Sequence, residues 1–121
     1  MNKELFVPYE QALALKELGF NEPCFAIYED KKWQLVEFKN SISYELCLKT
    51  DTFPAPTFSQ AFRWFRKEHG LYDTISKNGY MIEGELNKEF LRITKLSLKS
   101  HEEAELACLI KLIEIVKTKI R

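Results

Sequence analysis

The chain has few of the residues from which recognisable sites are built: its 121 residues include four glycines, three cysteines and two histidines. No segment reads G-x-G-x-x-G or G-K-S/T, which excludes the usual phosphate-binding loops and leaves a nucleotide cofactor without support. Cys24, Cys47 and Cys108 are far apart and lack C-x-x-C spacing, which favours reduced, buried thiols over a disulfide framework. The spacing does not exclude a metal site formed by these cysteines together with His69 or His101. Because the sequence lacks paired ligands, such a metal site is not favoured.

The chain also lacks net charge and long apolar runs. Eighteen basic and eighteen acidic side chains cancel, so no chain-wide attraction to nucleic acid or acidic membranes exists, and any polyanion site must be local. No stretch approaches the roughly 20 consecutive apolar residues that a bilayer span requires. Residues 1–20 lack the basic start and apolar core of a signal peptide. We therefore expect a cytoplasmic protein that does not enter membranes.

What is present is enough apolar surface for one core, since 45% of the residues are hydrophobic and 13% aromatic. A single domain over residues 1–121 is expected. Three helices are predicted, over residues 8–18, 57–69 and from 100 onward. The second and third open with the Ser/Thr-x-x-Gln/Glu spacing of a capping box, and Gly19 and Gly70 end the first and second. The third helix carries one apolar stripe, which Cys108, Leu112 and Ile115 widen: Leu106, Leu109, Ile110, Ile113, Val116 and Ile120.

Strands are predicted where aromatic and β-branched residues cluster or alternate with polar ones: residues 24–29, 33–38, 42–48, 72–75, 80–86 and 90–98. The Phe-Pro-Ala-Pro segment at 53–56 is interpreted as an internal joint, because proline cannot donate to a ladder within a central strand. The order α-βββ-α-βββ-α predicts an α+β fold, an antiparallel sheet packed against two or three helices with the C-terminal helix central to the core. Residues 8–53 and 57–121 resemble each other weakly, as half-repeats would.

One acidic pattern resembles a metal-dependent nuclease signature: Asp30 followed by Glu37, Phe38 and Lys39. A turn after Asp30 places Glu37 on the order of 10 Å or more away along the returning strand, at ~3.3 Å per residue. Two carboxylates so far apart cannot share a metal, and a solvated hairpin face is the preferred interpretation. His69, in a last helical turn where the dipole favours a cation, has no nucleophile arrangement beside it, so no catalytic residue is assigned.

The densest basic and aromatic segment runs from Arg63 through Trp64, Phe65 and Arg66 to Lys67. On a helix its three basic side chains are expected to share one face. That face suits a polyanion, with Trp64 stacking on an unpaired base. The alternative, which we prefer, is an amphipathic helix with a charged outer face and Trp64 beside the core.

Residues 57–113 resemble a double-stranded-RNA-binding domain in their order of helix, three strands and helix, and in the Ala-rich segment at 103–108. In that family, lysines at the start of the last helix grip phosphates. This chain has Ser-His-Glu-Glu at 100–103, which would repel them. The resemblance therefore concerns topology and implies no grip on RNA.

A wider resemblance rests on three segments: residues 8–24, which begin PY and end FNEPC; residues 55–66, which read APTFSQAFRWFR; and residues 102–117, which begin EEAELAC and end LIEIVK. Together they are similar to a family of short proteins of unknown function encoded in phage and prophage regions of gut bacteria. The strand segments between them differ from the family in length and charge. The resemblance implies an accessory gene product that works inside a host cell, and it carries over no catalytic residue.

We predict a non-enzymatic protein without metal or cofactor that acts by protein–protein interaction, with a host or phage protein as partner and with self-pairing into a homodimer through sheet edges or exposed aromatic surface. The alternative is nucleic-acid binding through the basic aromatic helix at 57–69. Aromatic and Arg side chains dominate interface energetics. The expected contact residues are Trp33, Tyr44, Arg63, Trp64, Arg66 and Lys67.

Overall fold

The helices and strands follow the predicted order. The structure is a computed structural model that describes residues 2–36 and 52–120, the side chain of residue 120 excepted. Its α-helices are Tyr9–Glu17 (α1), Phe58–His69 (α2) and His101–Ile120 (α3). Its strands are Ala26–Glu29 (β1), Lys32–Leu35 (β2), Thr52–Ala55 (β3), Leu71–Ile75 (β4), Tyr80–Leu86 (β5) and Glu89–Lys95 (β6). The predicted α+β class and the order α-βββ-α-βββ-α are confirmed.

Side-chain caps fix where the second and third helices begin. The backbone N–H of Gln60 donates to Oγ1 of Thr57 at 3.1 Å, and that of Glu103 donates to Oγ of Ser100, also at 3.1 Å. The Glu103 carboxylate accepts a hydrogen bond from the backbone N–H of Lys99 at 3.2 Å. Each cap satisfies a donor that a helix start leaves unpaired, which is why these local sequence signals located both helices.

Glycine ends the first two helices. Gly19 has a φ of +104°, and the next N–H, of Phe20, donates to the Leu15 carbonyl at 2.9 Å, which is the hydrogen bond of a Schellman cap. Gly70 has a φ of +64°, and its N–H donates to the Arg66 carbonyl at 3.1 Å. Both positions need a backbone conformation that side chains disfavour, so the predicted glycine stops are explained.

The chain divides into two compact units, Met1–Gln60 and Ala61–Arg121, and the division falls within α2. In the N-terminal unit, the antiparallel sheet has the strand order β2-β1-β3. Asp30 and Lys31 join β1 to β2 with φ values of 54° and 68°, as in a type I′ hairpin turn.

The third strand of this sheet lies where the sequence analysis placed a joint. Pro54 sits in β3, opposite Ile27 of β1. Among the described residues β3 lies at the margin of the sheet, paired with β1 alone, and the missing N–H of proline is tolerated in such a position. Residues 52–55 therefore form a strand that was not predicted, and the joint over residues 53–56 stays a prediction. The strand predicted over residues 42–48 lies outside the described residues.

An aromatic cluster fills the core of the N-terminal unit. The rings of Tyr9 and Tyr28 meet edge to face with centroids 5.5 Å apart, and Phe53 lies 5.5 Å from Tyr9 and 5.8 Å from Tyr28. The Tyr28 hydroxyl donates to the Val7 carbonyl at 2.8 Å, and burial raises the pKa of Tyr28. The hydroxyl is thus paired where it would otherwise be an unsatisfied buried group.

In the C-terminal unit, the antiparallel sheet has the order β4-β5-β6, and α3 packs against β4 and β5. The central place of the C-terminal helix in the core is confirmed. The predicted stripe and the residues that widen it are largely buried, but Ile110 is 44% exposed, because spacings of three and four residues fit neighbouring stripes equally. The buried residues of α3 are Ala104, Cys108, Leu109, Leu112, Ile113, Ile115 and Val116.

The two units share an element order but not a strand order. The first strand is central in the N-terminal sheet, whereas the second is central in the C-terminal sheet. The single domain and the half-repeat over 8–53 and 57–121 stay predictions. None of the helices in the described part of the chain has the length and apolar content to cross a membrane.

Candidate interaction surface

The sheet of the C-terminal unit turns one face to α3, and in the described part of the chain no helix or strand is packed on the other face. Tyr72 of β4, Glu83 of β5 and Arg92 of β6 lie opposite one another, and alternation along each strand puts the buried Leu71 and Ile82 on the face towards α3. We call the open side the outer face. It consists of Tyr72, Thr74, Met81, Glu83, Glu85, Phe90, Arg92 and Thr94.

Aromatic side chains stand out from this face. Tyr72 is 57% exposed and Phe90 is 68% exposed. The Arg92 guanidinium lies 5.4 Å from the centre of the Phe90 ring, and its Nη2 is 3.0 Å from Oε2 of Glu83. These contacts join an aromatic ring, a cation and a carboxylate into one surface.

A groove of about 890 Å³ lies at one end of the outer face. Tyr72, Glu85 and Phe90 line it, together with His69 and Lys119. Gly84 is another lining residue, and a Cβ placed on it would overlap the carbonyl oxygen of the neighbouring Gly70. The close approach of these two backbones therefore requires glycine in the groove.

His69 lines the groove, and its surroundings favour the neutral form of the imidazole. Burial lowers the pKa of His69, the nearby Lys119 ammonium lowers it further, and Glu68 opposes them. The imidazole meets the Trp64 indole edge to face, with ring centres 4.9 Å apart. The expected preference for a cation at the end of this helix is outweighed by burial and by Lys119.

Trp64 does not lie where a contact residue must be. It is only 4% exposed, and its ring packs 5.0 Å from Phe65 and 4.9 Å from His69. An indole held in this way cannot stack on an unpaired base, so the assignment of Trp64 to an interaction surface is corrected. The preferred interpretation of α2, which places Trp64 beside the core, agrees with the burial of the Trp64 side chain.

The basic residues of α2 differ in their surroundings. Arg63 and Lys67 are exposed. Arg66 instead directs Nη1 to Oδ1 of Asp73 on β4 at 3.0 Å, and the Asp73 side chain is largely buried. Because Arg66 already has a carboxylate partner, the charge that this helix offers to a polyanion is smaller than its sequence indicates.

The other two expected contact residues lie in the first half of the chain. Trp33 on β2 is half-buried, and its ring meets that of Phe6 at 5.3 Å. Its Nε1 is buried and, within residues 2–36 and 52–120, has no hydrogen-bond partner. Trp33 is thus mainly a packing residue. Tyr44 lies outside the described residues.

The outer face cannot be predicted from the sequence alone, because the exposure of a side chain depends on how the sheet packs. Strands were predicted over 72–75 and 90–98, but not which side of each would be covered. The predicted Asn87–Lys88 turn was the available signal: a two-residue hairpin sets Glu85 opposite Phe90, and alternation then assigns the remaining residues to a face.

The two cysteines in the described part of the chain are buried or hydrogen-bonded within the fold. Cys108 is fully buried, and burial together with Asp73 and Glu105 raises its pKa to about 12. The half-buried Cys24 thiol donates to the Glu22 carbonyl at 3.3 Å. Within residues 2–36 and 52–120, no three His, Cys, Asp or Glu side chains are grouped as metal ligands would be. Glu37 to Lys39 of the nuclease-like pattern, and Cys47, lie outside the described residues.

Comparisons of the chain with family models, with curated proteins and with solved structures found no match of any kind.

Proposed function

We propose that this protein acts without catalysis, by binding another protein through the outer face of the β4-β5-β6 sheet. One observation carries the proposal: Tyr72 and Phe90 are each more than half exposed on a sheet whose opposite face packs against α3. Exposing large aromatic rings is unfavourable in water unless a partner covers them. Tyrosine and arginine, both present on this face, are also among the residues enriched in interface hot spots.

The charges of the outer face favour a protein over a polyanion. Glu83 and Glu85 lie on β5 at the centre of the sheet, while Arg92 is paired with Glu83. Phosphates approaching this face would meet the Glu85 carboxylate, which forms no ion pair with an arginine of residues 2–36 and 52–120. A protein partner can match such a mixed surface with its own apolar, acidic and basic groups.

The cellular context of the proposal comes from the resemblance to short phage and prophage proteins. On that basis the partner is a host or phage protein in the cytoplasm of the host cell. A second mode of association, pairing of the chain with itself through a sheet edge, belongs to the same proposal. Binding of nucleic acid through exposed Arg63 and Lys67 is the weaker candidate, because Trp64 is buried and Arg66 is paired with Asp73.

Site-specific photocrosslinking in the native host tests the outer face. A benzophenone amino acid replaces Tyr72 or Phe90 in turn, and Ile110, which is 44% exposed on α3, is the matched control. The same protein is expected to crosslink from positions 72 and 90 and not from position 110. Equal yields from all three positions, or none from 72 and 90, would contradict the proposal.

Binding measurements with the captured protein give the second test. Tyr72→Ala and Phe90→Ala are each expected to weaken the complex about tenfold or more, as truncation of an aromatic hot spot does. Leu5→Ala, at an exposed apolar residue of the N-terminal unit, should leave the affinity unchanged. If Arg63→Ala and Lys67→Ala weaken binding instead, and the affinity falls steeply with salt, the polyanion candidate replaces this one.

A further inference from the structure

We propose that two copies of this chain pair through β6, antiparallel about a two-fold axis at Arg92, so that two three-stranded sheets join into one of six strands. The inference deepens the self-pairing in the proposed function and rests on it. It concerns the edge of the sheet, which is a different surface from the outer face. The occupant is therefore a second copy of the chain, and the outer face stays open to another protein.

The edge strand β6 is suited to pairing. It lies at the margin of the sheet, and within the described residues no strand pairs with its outer side. All seven of its residues are in continuous register with β5, from Glu89 opposite Leu86 to Lys95 opposite Tyr80. A regular strand without proline or bulge presents an unbroken row of backbone donors and acceptors, which is a template for another strand.

The sequence of β6 is complementary to itself. When the strand runs antiparallel to its own copy about Arg92, Glu89 lies opposite Lys95 of the second copy, and Leu91 lies opposite Ile93. The two-fold axis repeats both pairs, which gives two oppositely charged pairs and two apolar pairs on the face towards α3. Cross-strand pairs of these kinds stabilise a sheet, whereas like charges in the same positions destabilise it.

Other registers lose this complementarity. A shift by one residue places side chains of the inner face opposite those of the outer face, which the pleat does not allow. A shift by two residues in either direction leaves Glu89 and Lys95 without each other, because Glu89 then meets Ile93 or passes beyond the strand. The charges and the apolar residues therefore agree on a single alignment.

Arg92 lies on the axis, where it meets its own copy. Its charge is already engaged, since Nη2 is 3.0 Å from the Glu83 carboxylate and the guanidinium lies over the Phe90 ring. Both contacts belong to one chain and remain in the pair. The repulsion between the two arginines is thereby reduced, because each carries a carboxylate beside it.

Charge reversal tests this alignment by sedimentation velocity over a wide range of protein concentration. Glu89→Lys and Lys95→Glu are each expected to weaken the homodimer at least about tenfold, because both symmetric pairs become repulsive. A mixture of the two variants should form a heterodimer, and the double variant should recover the homodimer. Leu96→Ala, at an exposed apolar residue just beyond β6, should leave the homodimer unchanged.

Circular dichroism and thermal unfolding check that each variant is folded, since all three substituted side chains are exposed. A wild-type chain that is monomeric at every concentration, or a dimer that both single variants form as well as the wild type, overturns the proposal. Photocrosslinking from positions 72 and 90 separates the two ideas. A monomer that still crosslinks another protein rejects only the pairing, and a dimer that crosslinks nothing rejects only the outer-face proposal.

Discussion

Glu105 of α3 carries a charge that burial makes unfavourable. Loss of solvent raises its pKa, Glu102 and Asp73 act in the same direction, and His101 opposes them. The folded chain therefore holds the proton more tightly than the unfolded chain does. As the pH rises from the ordinary carboxyl pKa through the raised one, folding stability falls, and it stays lower at neutral pH.

Glu105→Gln should raise the free energy of unfolding at pH 7 by a few tenths of a kcal/mol, since the site is partly exposed and solvent screens its charge. The gain should vanish in acid below the ordinary carboxyl pKa, where glutamate is neutral in both states. Urea unfolding at neutral and acidic pH measures both. Glu114→Gln in the same helix is the control, because that carboxylate is well exposed and pairs with Lys111 at 3.3 Å. A gain for Glu114→Gln of the same size would contradict burial as the cause.

Single residues also show what a sequence cannot reveal. The buried Trp64 and the exposed Tyr72 are both aromatic residues next to charged ones in the sequence. Their difference arises from which side of α2 or β4 is covered, and that depends on neighbours distant in the chain. The candidate site therefore lies on the sheet and not on α2, although the strands that form it can be predicted from the sequence.

At the scale of elements, hairpin turns hold residues in an unfavourable backbone conformation. Asn87 and Lys88 join β5 to β6 with φ values of 54° and 69°, which suit a type I′ turn, and lysine is a poor residue for the second position. Lys88→Gly should raise the free energy of unfolding by about 1 kcal/mol, because glycine has no Cβ to clash at positive φ.

Urea unfolding compared between two glycine variants checks that reason. Lys77 lies in the loop between β4 and β5 and does not have a positive φ. Lys77→Gly should therefore give no gain, since it only increases the freedom of the unfolded chain. If both substitutions stabilise the protein equally, the backbone conformation of the turn is not the cause.

The elements that could be predicted are those with local signals. Thr57, Ser100, Gly19 and Gly70 act on hydrogen bonds within a few residues, so the helices were found nearly to their ends. The strand β3 is not predicted from the sequence because Pro54 argues against a central strand. Only the pairing of segments distant in the chain places β3 at the edge of the described sheet, where proline is tolerated. Ile110 of α3 is exposed although it belongs to the predicted stripe, since the sheet decides which side of that helix is covered.

At the scale of the whole molecule, each compact unit contains one tryptophan, Trp33 in the first and Trp64 in the second. The helix α2 runs across the division, so unfolding of either unit removes residues from a helix that the other unit shares. Units of about 60 residues are also only marginally stable alone. We therefore expect the chain to unfold in a single cooperative step.

Single-tryptophan variants measure this cooperativity. Trp33→Phe leaves Trp64 as the fluorescent probe, and Trp64→Phe leaves Trp33. Within each variant, the urea midpoint from fluorescence should coincide with that from far-ultraviolet circular dichroism, which reports on all helices. Comparing the two probes in one variant cancels any destabilisation by the substitution. Separate midpoints would show two independently folding units and would contradict the single domain predicted from the sequence.

Tyr72, Phe90 and Arg92 lie on one side of a sheet, and β6 is an edge strand of that sheet. This placement affects the affinity for a target. In a pair formed about an axis through Arg92, both copies of this aromatic patch point the same way. Such a pair would engage a target that displays the same epitope twice with an avidity far above that of one patch. Oligomeric or polymeric targets would then be favoured over monomeric ones without any new contact.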